Sequence, residues 1–149
     1  MDKLLRSKRL VEEDPTDDLE DATLIFADIA GFTKFSSSVE AEEVVKMLSN
    51  LFMEFDQMCV KLKVYKVYTI GDCYVALGFT NKSERNPAQE ANNIVRIGIA
   101  MIDIIQRVRV QINHPGLNMR IGVHTVRYLL TFLTFLGKNY WWYYWYRGC

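Results

Sequence analysis

Two β-rich runs, Val64–Ile70 and Cys73–Phe79, are separated by only two residues, Gly71 and Asp72. A connection that short makes an antiparallel hairpin, and glycine at its first central position suits a type II′ turn. Asp72 is then displayed at the tip of the hairpin. Whatever fold the chain adopts has to be built around this pair of strands.

Upstream, Thr23–Ala27 is a short apolar run of the kind buried on both faces of a sheet. It ends in Asp28-Ile29-Ala30-Gly31. Gly31 lets backbone N–H groups approach a ligand closely, so a carboxylate and exposed amides stand side by side there. That pairing suits a hard cation together with a phosphate, and equally an ordinary acidic turn. Ser37 followed by Glu40 predicts a capping-box helix start. The helix beyond carries Val44, Leu48, Leu51, Phe52, Phe55, Met58 and Cys59 as one apolar stripe, which is core packing.

Downstream of the hairpin a polar loop, Thr80–Arg85, leads to Asn86-Pro87, an N-cap with proline at the first helical position. This helix places Ala91, Ile94, Val95, Gly98, Met101, Ile102, Ile105 and Val108 along one side and stops before His114-Pro115-Gly116. Asn118–Thr125 alternates and reads as a strand. The order β-α-β-β-α-β predicts an α+β, ferredoxin-like sandwich: an antiparallel sheet with helices on one face. In that topology the third strand lies between the first and second, which brings Asp28 and Asp72 to the same edge. Two carboxylates there repel unless positive charge sits between them, and divalent cations holding a triphosphate answer that need.

Composition narrows the field. At 149 residues the chain is one domain with a sizeable core. Lys+Arg 18 against Asp+Glu 18 removes the electrostatic case for nucleic acid. Three cysteines, Cys59, Cys73 and Cys149, at no metal-like spacing predict reduced thiols in a cytoplasm-like compartment. Residues 1–22 read as a short helix and an acidic linker, residues 23–125 as the folded domain, and 126–149 as an apolar and aromatic tail. No run is long enough to span a bilayer.

Three segments, Phe26-Ala27-Asp28-Ile29-Ala30-Gly31-Phe32-Thr33, Thr69-Ile70-Gly71-Asp72-Cys73-Tyr74 and Arg120-Ile121-Gly122-Val123-His124-Thr125, resemble in order and spacing the class III nucleotidyl cyclases. The resemblance covers about Asp21 to Thr125. It implies a dimeric domain in which two divalent cations, Mg²⁺ or Mn²⁺, hold a nucleoside triphosphate. The 3′-hydroxyl then attacks the α-phosphorus, releasing pyrophosphate and a 3′,5′-cyclic nucleotide. Asp28 and Asp72 match the catalytic metal-binding aspartates, and Ile29 matches the position whose carbonyl also binds metal. The turn Ile29, Ala30, Gly31, Phe32 and Thr33 matches the triphosphate cradle. Tyr68 stands where relatives commonly carry a base-reading glutamate for guanine or lysine for adenine, so both GTP and ATP remain open. Lys66 is expected on the same face as Tyr68, one pleat away. His124 is expected to be a packed strand histidine, His114 a turn residue and Cys73 a small core side chain. The other readings are a non-catalytic dimerisation or nucleotide- and metal-binding module, and a polymerase-like palm by analogy of topology.

After Thr125 the resemblance ends. A cyclase continues there with glycine, aliphatics and a Gly-Gly pair, completes the sheet, and adds a helix with the asparagine and arginine that stabilise the transition state. The domain is therefore expected to be incomplete at its C-terminus, and the chain inactive alone. Val-Arg can be encoded by GTAAGA and the Phe-Leu-Gly end by TTTTTAGG, the two ends of a short intron, with Gly137 read as GGG. Excision with a one-base shift turns Asn139–Trp145 into Ile-Ile-Gly-Gly-Ile-Ile-Gly, the family's continuation. Residues 126–149 are thus expected to come from a retained intron and a shifted exon. Sequencing the transcripts should reveal a shorter spliced form; one contiguous transcript alone would overturn this.

Overall fold

The computed structural model describes residues 20–79 and 82–128, with side chains at 82, 127 and 128 excepted. The tail from residue 129 onward and the N-terminal helix and linker up to residue 19 lie outside the described residues. In chain order the elements are β1 (Glu20–Ala30), α1 (Phe32–Ser36), α2 (Ala41–Leu62), β2 (Tyr65–Ile70) and β3 (Cys73–Gly78). A 3-10 turn (Lys82–Glu84), α3 (Pro87–Gln111) and β4 (Asn118–Tyr128) follow.

The sheet order is β2-β3-β1-β4, so β3 lies between β1 and β2 and pairs antiparallel with both. β4 flanks β1 on its other side, with Thr23 bonded to Thr125 and Asp28 to Arg120. Partners that move up one strand as they move down the other mark an antiparallel pair. This is the expected ferredoxin-like α+β arrangement. β1 runs past the expected apolar run at both ends, because pairing on both edges carries it through Asp28 and Ile29, which are buried.

The core forms between one sheet face and α2 and α3. Ile25, Ala27 and Ile29 of β1 and Tyr74 and Ala76 of β3 meet Leu51, Phe55, Ile97 and Met101 from the helices. Leu24 and Val75 alternate to the other face and are also buried.

Two helix details differ from the sequence reading. Ser36, Ser37 and Ser38 each donate a hydroxyl hydrogen bond to the carbonyl three residues back, at 3.2, 3.0 and 2.8 Å. The serines therefore close α1, and Glu40 in extended conformation caps α2 without a side-chain bond. Short hydroxyls compete for local carbonyls, and here that competition wins over a capping box. In α3 the apolar residues divide into two stripes. Ile94, Ile97, Met101, Ile104, Ile105 and Val108 are buried, whereas Val95 and Ile102 are 50% and 39% exposed. They stand about 120° and 100° round the helix from Met101, off the core side. The α3 start is as expected: the Gln89 N–H donates to the Asn86 side chain at 3.1 Å, with Pro87 at the first position.

Phe55 is fully buried, 6.1 Å from the Phe52 ring and edge-on to Tyr74 at 5.4 Å. Phe55→Ala should lower the unfolding free energy by about 3–5 kcal/mol, read as an earlier midpoint in urea unfolding of the purified chain.

Candidate active site

The hairpin closes as its sequence dictates. Ile70 pairs with Cys73, and Gly71 has φ +58° while Asp72 is not among the positive-φ residues. A positive φ at the first central position alone is the type II′ pattern. Because β3 lies against β1, extending the register Ala27↔Tyr74 by one pair sets Asp28 opposite Cys73. Asp72 thus arrives at the end of β1.

The two carboxylates meet there. Asp72 is pushed up to about 6, first by burial and then by a side-chain hydrogen bond with Asp28 and by the Asp28 charge. Hydrogen bonds from its own N–H and that of Ile29 oppose the shift. The expected neighbours Asp28, Ile29 and Asp72 are therefore brought together. Cys73 lies beside the pair: burial first, then the charges of Asp28 and Asp72, push its thiol up to about 11. It is half-buried at the site margin rather than in the core.

The turn that follows is set by Gly31, whose φ is +83° and which caps α1. A Cβ at this position would lie 2.6 Å from the carbonyl oxygen of Gly116, so the turn after α3 presses directly on it. Ala30 is half-buried, Phe32 packs against the core, and Thr33 is exposed. The first-turn N–H groups of α1 have no intrahelical carbonyl to bond. His114 is part of the same buttress, its ring edge-on to Phe35 at 4.9 Å.

Arg120 is the residue that sequence reasoning did not assign. Its Nε donates to Oδ2 of Asp28 at 3.0 Å, and Nη2 donates to the same oxygen. The alternation of Asn118–Thr125 gives the parity of Arg120, but its partner depends on the β1–β4 register, which no local pattern specifies. His124, expected to be packed, is exposed on β4.

The expected companionship of Lys66 and Tyr68 is also corrected. Lys66 pairs with Ala76 and Tyr68 with Val75, so Val67 is an extra residue, a β-bulge. Ala76 and Val75 point to opposite faces, and so do their partners. Lys66 turns to the helices, where its Nζ lies 2.8 Å from Asp56, which also accepts from the Tyr74 hydroxyl at 2.6 Å. Tyr68 faces the side of Asp28. It is half-buried, and burial first, then Cys73, raise its hydroxyl above the ordinary range.

A family model described as the adenylate and guanylate cyclase catalytic domain matches residues 15–143. The chain belongs to this family. A guanylate cyclase of Toxoplasma gondii is 40% identical to the cyclase domain here over 127 residues, 78% of the chain and 3% of that protein. The adenylyl cyclase CyaB of P. aeruginosa has a similar structure, with TM-score 0.66 and 29% identity over 75% of this chain and 59% of its own. The guanylate cyclase domain of RhGC from Catenaria anguillulae, solved in complex with GTP, gives 0.62 and 29% over 74% and 58%. The domain described here thus spans less than two thirds of each of these proteins.

An acid whose folded pKa lies above its unfolded value stabilises the fold below the unfolded value and loses that contribution as pH rises through the folded one. For Asp72 the window runs from 3.8 to about 6. In metal-free buffer, thermal melts should show Asp72→Asn gaining on the wild type as pH rises through that window, with the gain levelling off above it.

Proposed function

We propose that this chain supplies the metal-holding part of a nucleotidyl cyclase. The reaction converts a purine nucleoside triphosphate, GTP or ATP, into a 3′,5′-cyclic nucleotide and pyrophosphate within a dimer of cyclase domains. The observation that carries this reading is the contact between the carboxylates of Asp28 and Asp72, with Asp72 pushed up to about 6, first by burial and then by its hydrogen bond with Asp28 and the Asp28 charge.

The donors fit a hard divalent cation. Asp28, Asp72 and the Ile29 carbonyl offer oxygen only, and among the described residues no cluster of three or more His, Cys, Asp or Glu forms a closed cage. Mg²⁺ is characteristically held this way, by one or two carboxylates with phosphate oxygens and water completing its shell. Two such ions would lower the pKa of the 3′-hydroxyl and offset charge on the leaving oxygens.

The chain's own groups then have distinct tasks. Asp28 and Asp72 fix the cation positions at the sheet edge. The backbone of Ile29, Ala30, Gly31, Phe32 and Thr33 receives the β- and γ-phosphates, held in place by the Gly116 turn. Tyr68 stands at the base-reading position on the Asp28 side, with a neutral hydroxyl that can both donate to and accept from the base. The partner domain contributes the residues that stabilise the transition state. The second reading is a non-catalytic dimerisation or nucleotide- and metal-binding module.

One assay separates them: cyclic nucleotide formation with Mn²⁺ by the purified chain alone and mixed with an intact cyclase domain. We expect no turnover alone and turnover above the partner's own level in the mixture. Asp28→Asn or Asp72→Asn should remove that increment by at least about 100-fold, since even outer-shell changes at metal sites cost about 10–100-fold. An increment that survives either substitution, or no increment at all, would favour the non-catalytic module.

A further inference from the structure

We propose that Arg120 is a resident counter-cation that competes with metal for Asp28, so that metal enters by exchange with the guanidinium. This rests on the reading of Asp28 and Asp72 as metal ligands. Both donors of Arg120, Nε and Nη2, converge on one oxygen, Oδ2 of Asp28. The two partners are unequally placed: the Asp28 side chain is 8% exposed and that of Arg120 is 56% exposed. The arginine therefore reaches in from the solvent side and closes over a nearly buried carboxylate.

That asymmetry says which group can leave. An exposed guanidinium on a long stem rehydrates readily, whereas a buried carboxylate without a counter-ion is heavily penalised. Asp28 can thus trade one cation for another but is poorly left with none. A divalent ion bound to Asp28 at about 2.0–2.6 Å would lie within roughly 5 Å of a guanidinium still on the same carboxylate. The two positive charges exclude one another, and metal binding requires Arg120 to withdraw.

The consequence is opposite in sign to that of a supporting role. If Arg120 merely held Asp28 in place, removing it would loosen the site and weaken metal binding. If it competes, removing it tightens binding. Titration of the full chain with Mn²⁺ near neutral pH, followed by calorimetry or by the spin signal of free Mn²⁺, decides between them. Arg120→Gln should bind Mn²⁺ roughly fivefold tighter than the wild type, the scale of one partly exposed ion pair. Its metal-free melting temperature should fall and be recovered by Mn²⁺. Arg120→Lys keeps the charge with a single point donor and should bind roughly twofold tighter. It carries the test if the glutamine variant does not fold.

Mn²⁺ affinity equal to or below the wild type in the folded variants would overturn the proposal. Asp28→Asn separates this from failure of the underlying reading. If it binds Mn²⁺ as tightly as the wild type, Asp28 is not a ligand, and both ideas fall together. If it binds weakly while Arg120→Gln does not bind tighter, the metal site stands and only the exchange role of Arg120 is lost.

Discussion

The antiparallel contact between β1 and β3 is the constraint on which the site depends. It carries Asp28, at the end of a buried strand, against Asp72, at the tip of a hairpin, two residues far apart in the chain. Neither carboxylate would be unusual alone. Together, with Asp28 buried and Asp72 half-buried, their charges repel, and burial first and then Asp28 hold the Asp72 carboxyl above its ordinary range. Arg120 offsets the Asp28 charge from β4, on the other side of β1. The sheet therefore collects Asp28 from β1, Asp72 from the β2–β3 turn and Arg120 from β4 at one edge, and the proposed metal and triphosphate site rests on that concentration of charge.

The rest of the domain keeps this edge in register. Tyr74, two residues after Asp72, is fully buried, and its hydroxyl donates to Asp56 on α2. Lys66 reaches the same carboxylate from β2. Both strands of the hairpin are thereby tied to one helix, and burial with the neighbouring Cys59 and Asp56 keeps the Tyr74 hydroxyl protonated. The bulge at Val67 belongs to this arrangement: without an extra residue there, Lys66 would turn to the Tyr68 side and lose Asp56. On the other flank, Gly116 presses on Gly31 and sets the turn after Asp28.

Much of this was legible in the sequence. The Gly71-Asp72 turn, the Asn86-Pro87 helix start and the β-α-β-β-α-β order follow from local rules of turn and cap chemistry, and they suffice to put Asp28 and Asp72 on one edge. The departures from the sequence expectations involve competition between neighbours. The serines at the end of α1 have two uses for their hydroxyls, and the carbonyls three residues back take them, closing α1. Val95 and Ile102 share the helical spacing of the core residues, and only the position of the sheet shows that they point away from it. Lys66 and Tyr68 share parity in the sequence, and a bulge undid it.

The sequence by itself determined the hairpin, the order of elements and the family, because each depends on residues close in the chain or on motifs spaced along it. Only the tertiary structure decided that Asp72 and Asp28 touch, that Arg120 pairs with Asp28, and that Tyr68 faces the site while Lys66 does not. Those outcomes depend on strand register and on one inserted residue. A shift of a single position reverses every side chain on a strand, and no local propensity encodes that choice.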